Sequence, residues 1–265
     1  MTITIFKILL TPALIWAVSM AGRRWGAAVS GLLIGLPLTS GPVVLFIALE
    51  RGPAFARQTS VGILLGAVSV ALFCLVYGWL AALRQPWPVA LLGGWLATLI
   101  ATVTLDQVHT SGLMALGVAT VALLALNWLM PRAQERVIGG RSLWWDIPAR
   151  IVVATAFLLA LTAAAASLGP HLSGLLATLP IYASILASFD HHLLGPAQAV
   201  RFTRELALGL FGFIAFFAVL EALLTLTPLA VTFGAATLAA LATQAALGWF
   251  TRERAASQQP APAAR

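Results

Sequence analysis

The chain is poor in charge. Only 9% of its 265 residues are Asp, Glu, Lys or Arg, where a soluble domain carries about a quarter. That is too few to cover a water-facing surface, so the solvent for most of this chain is lipid. There is one cysteine, Cys74, which excludes a disulfide framework and any cysteine-built zinc site. Cys74 lies in an apolar run and reads as a small buried hydrophobe. There is also one lysine, Lys7, placed where no Walker-type phosphate loop can use it, and neither HExxH nor GxSxG occurs. No catalytic constellation is present, so no enzyme, metal or cofactor is expected.

What the chain has in abundance is apolar sequence: 61% hydrophobic residues and a mean hydropathy of +0.98. A helix needs about 20 such residues to cross the hydrocarbon. Nine stretches qualify: 4–20, 26–49, 59–83, 87–105, 111–130, 148–168, 172–189, 204–227 and 230–250. Assigning alternate loops to two sides places twelve arginines on one and only Lys7, Arg51 and Arg57 on the other. Basic loops stay cytoplasmic. This bias therefore sets the amino terminus outside and the carboxyl terminus inside. It also accounts for a net charge of +7 without a nucleic-acid partner. Trp25, Trp87, Trp128, Trp144, Trp145 and Trp249 fall near span ends, as amphipathic rings do. The tail 251–265, rich in Ala, Gln and Pro, reads as disordered and cytoplasmic.

Sliding the sequence by 143 positions superposes Ser30-Gly31-Leu32-Leu33 on Ser173-Gly174-Leu175-Leu176. Leu36-Pro37 then falls on Leu179-Pro180, and Gly52-Pro53-Ala54 on Gly195-Pro196-Ala197. Eleven of the 27 positions from Ser30 to Ala56 are identical, and one inserted residue then aligns Arg57 and Thr59 with Arg201 and Thr203. Chance matches in an apolar alphabet do not readily place two prolines and a Gly-Pro-Ala at one offset. Each copy holds four spans, and the fifth is unpaired, so the second copy enters the membrane from the other side. The expected architecture is all-α: a polytopic membrane protein of nine transmembrane helices in an inverted 4+1+4 repeat. Its parts are a first four-helix repeat (1–105), a linker helix with a basic cytoplasmic loop (106–147), a second, inverted repeat (148–250) and the tail.

The repeated feature is also the awkward one. Pro37 falls near the middle of span two and Pro180 near that of span seven, where each removes a backbone hydrogen bond and crowds the carbonyl four residues earlier. Carbonyls freed in this way cannot face lipid. Pro/Gly-interrupted spans at matching places in two halves mark the midplane site of many transporters. Pro37, Thr39, Ser40, Pro180, Tyr182, Ser184 and Ser188 are accordingly the expected substrate-binding residues. The bland reading is two kinked helices whose hydroxyls bond their own backbone. Glu221 is the ionisable group deepest inside a span, and intramembrane charge is usually functional. It is the candidate for ion coupling. Asp106 and His109, in a tight turn, and Asp190, at the end of span seven, are candidate gate residues.

The block GLLIGLPLTSGPVVLFIALERGPAFARQTSVGILLG, with one apolar helix before it and two after, resembles the GlpM-type family of small four-span bacterial inner-membrane proteins. Those share a proline-bearing second helix, an acidic-Arg-Gly turn and an Arg-Thr-Thr-like start to the third helix. Glu50-Arg51-Gly52 and Arg57-Gln58-Thr59 are the matching positions here. The likeness covers about 3–105 and, more weakly, 146–250, where Asp190-His191 replaces the acidic-Arg pair. It implies a fused tandem version in the bacterial cytoplasmic membrane. The family's activity is not established, so no substrate is implied.

The sequence therefore points to a secondary transporter or exporter of a small molecule or ion, working by alternating access. Its partners would be the bilayer, the solute and, in a homo-oligomer, further copies of the chain. The alternative is a non-transporting membrane subunit or assembly factor of a larger complex. An intramembrane enzyme acting on lipid is weaker, because no acid/base pair converges.

Overall fold

Gly52 and Gly195 adopt nearly the same backbone conformation, φ 92° with ψ 163° and φ 91° with ψ 170°. This region is open essentially to glycine alone. Each glycine is followed by proline at the first position of a helix, where a missing N–H costs nothing. The Gly-Pro pair thus ends one helix and starts the next at an elbow. The computed structural model of the chain describes residues 2–25, 29, 33, 35–38, 40–107, 111–132, 145–157, 159, 160 and 180–257. Their regular elements are all helical: α1 (Thr2–Trp25), α2 (Ser40–Arg51), α3 (Pro53–Ala82), α4 (Trp87–Asp106), α5 (Gly112–Leu129), α6 (146–157), α7 (Ile181–Leu194), α8 (Pro196–Leu223) and α9 (Leu229–Ser257).

Among the described residues, five helices are long and apolar enough to cross a membrane: Pro53–Ala82, Trp87–Leu105, Gly112–Leu129, Pro196–Leu223 and Leu229–Trp249. The protein is a helical membrane protein. Stretches 26–49 and 172–189 are represented among the described residues by α2 and α7, of 12 and 14 residues, and their remainders lie outside those residues. Two helix starts differ from the sequence expectation. The third span begins at Pro53 rather than 59, and the eighth at Pro196 rather than 204. A hydropathy ruler stops at Arg57 and Arg201. The backbone stops only where the Gly-Pro elbow breaks it.

The helices α3 and α8 make the most extensive pairing in the fold and run antiparallel. Arg57, in the second turn of α3, bonds Glu221 near the end of α8. At the other end Thr203 of α8 lies against Gly78 of α3. The two helices form the middle of the bundle: half of their most apolar windows is buried, against 22, 22 and 17% for α4, α5 and α9. α4 packs on α3 and α9 on α8, while α2 lies on α3, α7 on α8, and α5 touches both central helices. Leu92, Leu96, Leu124, Trp128, Leu238 and Leu241 point outward, as lipid-facing side chains do.

Two apolar cores follow from the antiparallel pairing. One joins the first part of α3 to the last part of α8 and includes Val44, Leu64, Leu123, Phe217 and Leu220. The other joins the last part of α3 to the first part of α8, with Phe73, Tyr77, Leu186, Phe202 and Leu206. Gly209 lies between them. A Cβ on Gly35 would collide with the Gly209 backbone, so the broken segment 35–38 is pressed directly onto the middle of α8.

Candidate functional site

Pro37 and Pro180 each open a helix; the Leu176 carbonyl, which Pro180 was expected to free, lies outside the described residues. The Pro37 carbonyl accepts the Gly41 N–H at 2.9 Å, and the Pro180 carbonyl accepts the Ser184 N–H at 2.8 Å. Both are the opening turns of α2 and α7. The Leu33 carbonyl, which Pro37 was expected to free, accepts the Leu36 N–H at 3.1 Å in a tight local turn. Pro42 sits in the first turn of α2, where proline is tolerated. The break in span two is therefore present, and its Leu33, Leu36 and Pro37 carbonyls are bonded locally.

Pro37 is buried, Ser40, Pro180 and Tyr182 are half-buried, and Ser184 and Ser188 are buried. The structure gathers Pro180, Tyr182, Ser184, Ser188 and Asp190 on or beside α7, while Pro37 and Ser40 belong to the opposite half. In the described portions of spans two and seven, α2 and α7 share no substantial contact, and much of both spans lies outside the described residues. Thr39 and His109 lie outside the described residues, as does the side chain of Asp106.

Polar features of the middle concentrate on α8. Its Gly209 carbonyl accepts the Gln244 amide from α9 at 2.8 Å, and its Ala207 carbonyl accepts the Asn127 amide from α5 at 3.2 Å. Amide side chains are thus spent tying peripheral helices to the central pair.

Beside the second break, α4, α6 and α7 enclose a cavity of about 340 Å³ lined by Trp87, Trp95, Phe157, Ser184, Ser188 and Phe189 among others. The lining residues of α7 recur at helical spacing, so one face of that helix forms the wall. Its surface is wholly apolar. The Ser184 hydroxyl is turned away into a bond from the Trp95 indole N–H at 2.9 Å. Trp95 stacks on Phe157 with ring centroids 5.6 Å apart. The cavity can hold an apolar or aromatic body, and the serines serve the wall.

Charge lies at the two ends of the α3–α8 pair. At one end Arg57 clasps Glu221: Nη2 is 2.7 Å and Nε 3.1 Å from Oε1, and Nε also donates to the Glu221 carbonyl at 3.0 Å. Glu221, expected as a lone intramembrane acid, carries an internal counter-ion. At the other end is a buried chain of ions. Arg150 donates to Asp146 at 2.7 Å and to Asp190 at 2.9 Å, and Arg23 reaches the second oxygen of Asp146 at 3.1 Å. The Arg150 side chain is only 6% exposed and its guanidinium lies over the Phe189 ring, a favourable cation–π placement. Two cations face two anions, so the cluster is neutral by count.

Next to it, Tyr77 and His191 Nδ1 share a hydrogen bond of 3.3 Å. Burial lowers the His191 pKa below its ordinary value. Burial raises the Asp190 pKa, and the Arg150 charge opposes that rise.

Sequence reasoning placed Asp190 as a gate residue and missed its partners. Asp146 and Arg150 stand four apart, a pairing distance on a helix. That spacing was the available signal, but Arg150 had been absorbed into the count of cytoplasmic arginines. Trp87, Trp95 and Phe157 offered no comparable signal, since interfacial and core aromatics look alike in sequence. No family model, curated protein or solved structure matches the chain.

Proposed function

We propose that the protein is a secondary transporter or exporter of a small solute with an apolar or aromatic body, built as an inverted repeat and working by alternating access. The reading includes nine spans in a bacterial cytoplasmic membrane, amino terminus outside, and descent from a fused pair of GlpM-type units. The observation that carries it is the antiparallel packing of α3 and α8. These helices are equivalent at the repeat offset, and each is preceded by an elbow in the same glycine-only conformation. Equivalent helices that run in opposite directions are what a pseudo-two-fold axis in the membrane plane requires.

The chemistry at the ends suits gating. Arg57–Glu221 closes one end of the central pair, and Arg23–Asp146–Arg150–Asp190 closes the other. The aromatic cavity lies on the side of the second cluster. Access from one face would require parting one ion cluster while the other holds. A proton exchanged at Glu221 would loosen the Arg57 clasp and couple the cycle to an ion gradient.

The rival reading, a non-transporting membrane subunit, draws on the local bonding of the breaks and the apolar cavity wall. A substrate-free experiment separates the two. In a Cys74→Ala background, Ser188→Cys would be labelled in proteoliposomes by a membrane-impermeant thiol reagent applied to each face in turn. A transporter shows labelling that moves from one face to the other when Glu221→Gln is added. Labelling fixed to one face, or absent with and without the second substitution, rejects transport.

A further inference from the structure

Behind the wall of the aromatic cavity lies a buried contact between α3 and α7. Tyr77 of α3 is fully buried, and His191 of α7 is 7% exposed. Their rings meet edge to face with centroids 5.8 Å apart, and the Tyr77 hydroxyl stands 3.3 Å from His191 Nδ1. Three residues before His191, Ser188 supplies part of the cavity wall. That wall is wholly apolar, so the Ser188 hydroxyl points behind it. There Ser188 Oγ is buried, makes no hydrogen bond and sits beside the Tyr77 hydroxyl.

A buried hydroxyl without a partner costs stability and calls for an explanation. Protonation of the neighbouring imidazole supplies one. A tyrosine hydroxyl has one proton to donate, and a neutral imidazole has one nitrogen to accept it. In the imidazolium both nitrogens are donors. Nδ1–H must then donate to the tyrosine oxygen, and the tyrosine proton needs another acceptor. Ser188 Oγ stands ready for it. The charged state thus satisfies the orphan hydroxyl and gains a charge-assisted hydrogen bond, about twice as strong as a neutral one.

We propose that His191 is a proton-binding site, and that Tyr77 relays its charge state to Ser188 in the wall of the aromatic cavity. Among the described residues, Tyr77 is the group bonded to the ring. Beside it on α7, Asp190 is held by Arg150 of α6 and by Gln198 of α8, and His192 lies edge-on to Trp87 of α4. Asp146 of α6 and Arg23 of α1 complete the ion chain behind Asp190. Further along α8, Arg201 is exposed, and Arg204, with Glu205 beside it, donates to the Met130 carbonyl. The relay stands without transport; its use in coupling a proton gradient to the cavity rests on the transport reading. Burial holds the His191 pKa down, so opening this end to water favours proton uptake and closing it favours release.

The full chain, with isotope-labelled histidine and tyrosine, would be titrated by NMR in detergent micelles. The His191 and Tyr77 signals are identified by their loss in His191→Gln and Tyr77→Phe. His191 should titrate below the ordinary histidine range, and the Tyr77 ring carbon bearing the hydroxyl should shift with the same midpoint. Ser188→Ala removes the second acceptor and should lower the His191 midpoint by about one pH unit, one hydrogen bond's worth. Ser188→Thr, which keeps a hydroxyl, should titrate as wild type. In a Tyr77→Phe background, Ser188→Ala should leave the midpoint where it was. These readings need no transport, whereas face-dependent labelling of Ser188→Cys tests transport alone, so the two fail separately. A His191 ring that takes no proton while the chain is folded overturns the proton site. A Tyr77 signal flat through the His191 titration, a midpoint unmoved by Ser188→Ala, or a shift that persists without the tyrosine hydroxyl overturns the relay.

Discussion

Arg57 Nη2 lies 2.7 Å from Glu221 Oε1 and so ties the beginning of α3 to the end of α8. The bond crosses 164 residues of sequence, and its partners differ in exposure, 49% for the Arg57 side chain and 15% for Glu221. Solvent screens a pair with one partner so exposed, which limits its worth to about 1 kcal/mol or less. A double-mutant cycle of Arg57→Ala and Glu221→Ala, followed by thermal unfolding in detergent, should return a coupling of that size. Coupling well above it would mean that the clasp is structural and cannot serve as a gate that opens in each cycle.

The Arg150 cluster behaves differently because it is buried. Arg150→Met removes the shared cation and leaves Asp190 buried without its counter-ion, while Asp146 keeps Arg23. A loss of about 3–5 kcal/mol is expected. Replacing Asp146, Arg150 and Asp190 together by apolar residues of similar volume should recover most of that loss. If the triple variant is no more stable than Arg150→Met, the cost lies in packing and not in uncompensated charge.

His191 gives a pH signature with a definite sign. Its folded pKa is lowered by burial, so the folded state binds a proton less readily than the unfolded chain. The stability it contributes is present above the ordinary histidine range and is lost as pH falls through that range toward the lowered folded value. The Asp190 carboxyl has the opposite sign, since its pKa is raised: its contribution is present at low pH and fades as pH rises through the acid range. Unfolding midpoints measured between about pH 7 and pH 5 should fall for wild type and fall less for His191→Gln. Parallel curves would show that His191 is not the titrating group.

The fold was legible where local chemistry decides it. Gly52-Pro53 and Gly195-Pro196 are visible in the sequence as a repeated motif, and they are the real helix boundaries. Hydropathy placed those starts too late because Arg57 and Arg201 dilute the apolar average of helices that continue through them. An antiparallel central pair was not called from the sequence; it was implied only by the expected inversion of the second copy. Pairings such as Arg57–Glu221 and Arg150–Asp190 were not legible at all. Each joins distant segments, and an arginine at a span end reads the same whether it faces lipid phosphate or a buried carboxylate. The hydroxyls at Ser184 and Ser188 pointed to the right helix face but suggested a polar site. The turn of the Ser184 hydroxyl toward Trp95 depends on tertiary neighbours.

Equivalence of the two elbows has an energetic consequence. Alanine at Gly52 or Gly195 must hold a conformation that costs a side-chain-bearing residue about 1–3 kcal/mol, and no neighbouring atom obstructs a Cβ at either place. Backbone strain is then the only penalty, so the two substitutions should destabilise by similar amounts in detergent melts. A neutral effect at one elbow and a large one at the other would separate their roles.

Because α3 and α8 are antiparallel, the residues around their starting elbows belong on opposite faces of the bilayer. Arg51 and Arg201 are both exposed, each close to its elbow, and Cys74 is buried. In a Cys74→Ala background, Arg51→Cys should react with an impermeant maleimide added to intact cells. Arg201→Cys should react only after the membrane is opened, as the proposed orientation with the arginine-rich side in the cytoplasm requires. The reverse pattern would preserve the inverted repeat and exchange its inside and outside. Labelling of both cysteines from the same face would contradict the antiparallel pair itself, and with it the architecture on which alternating access depends.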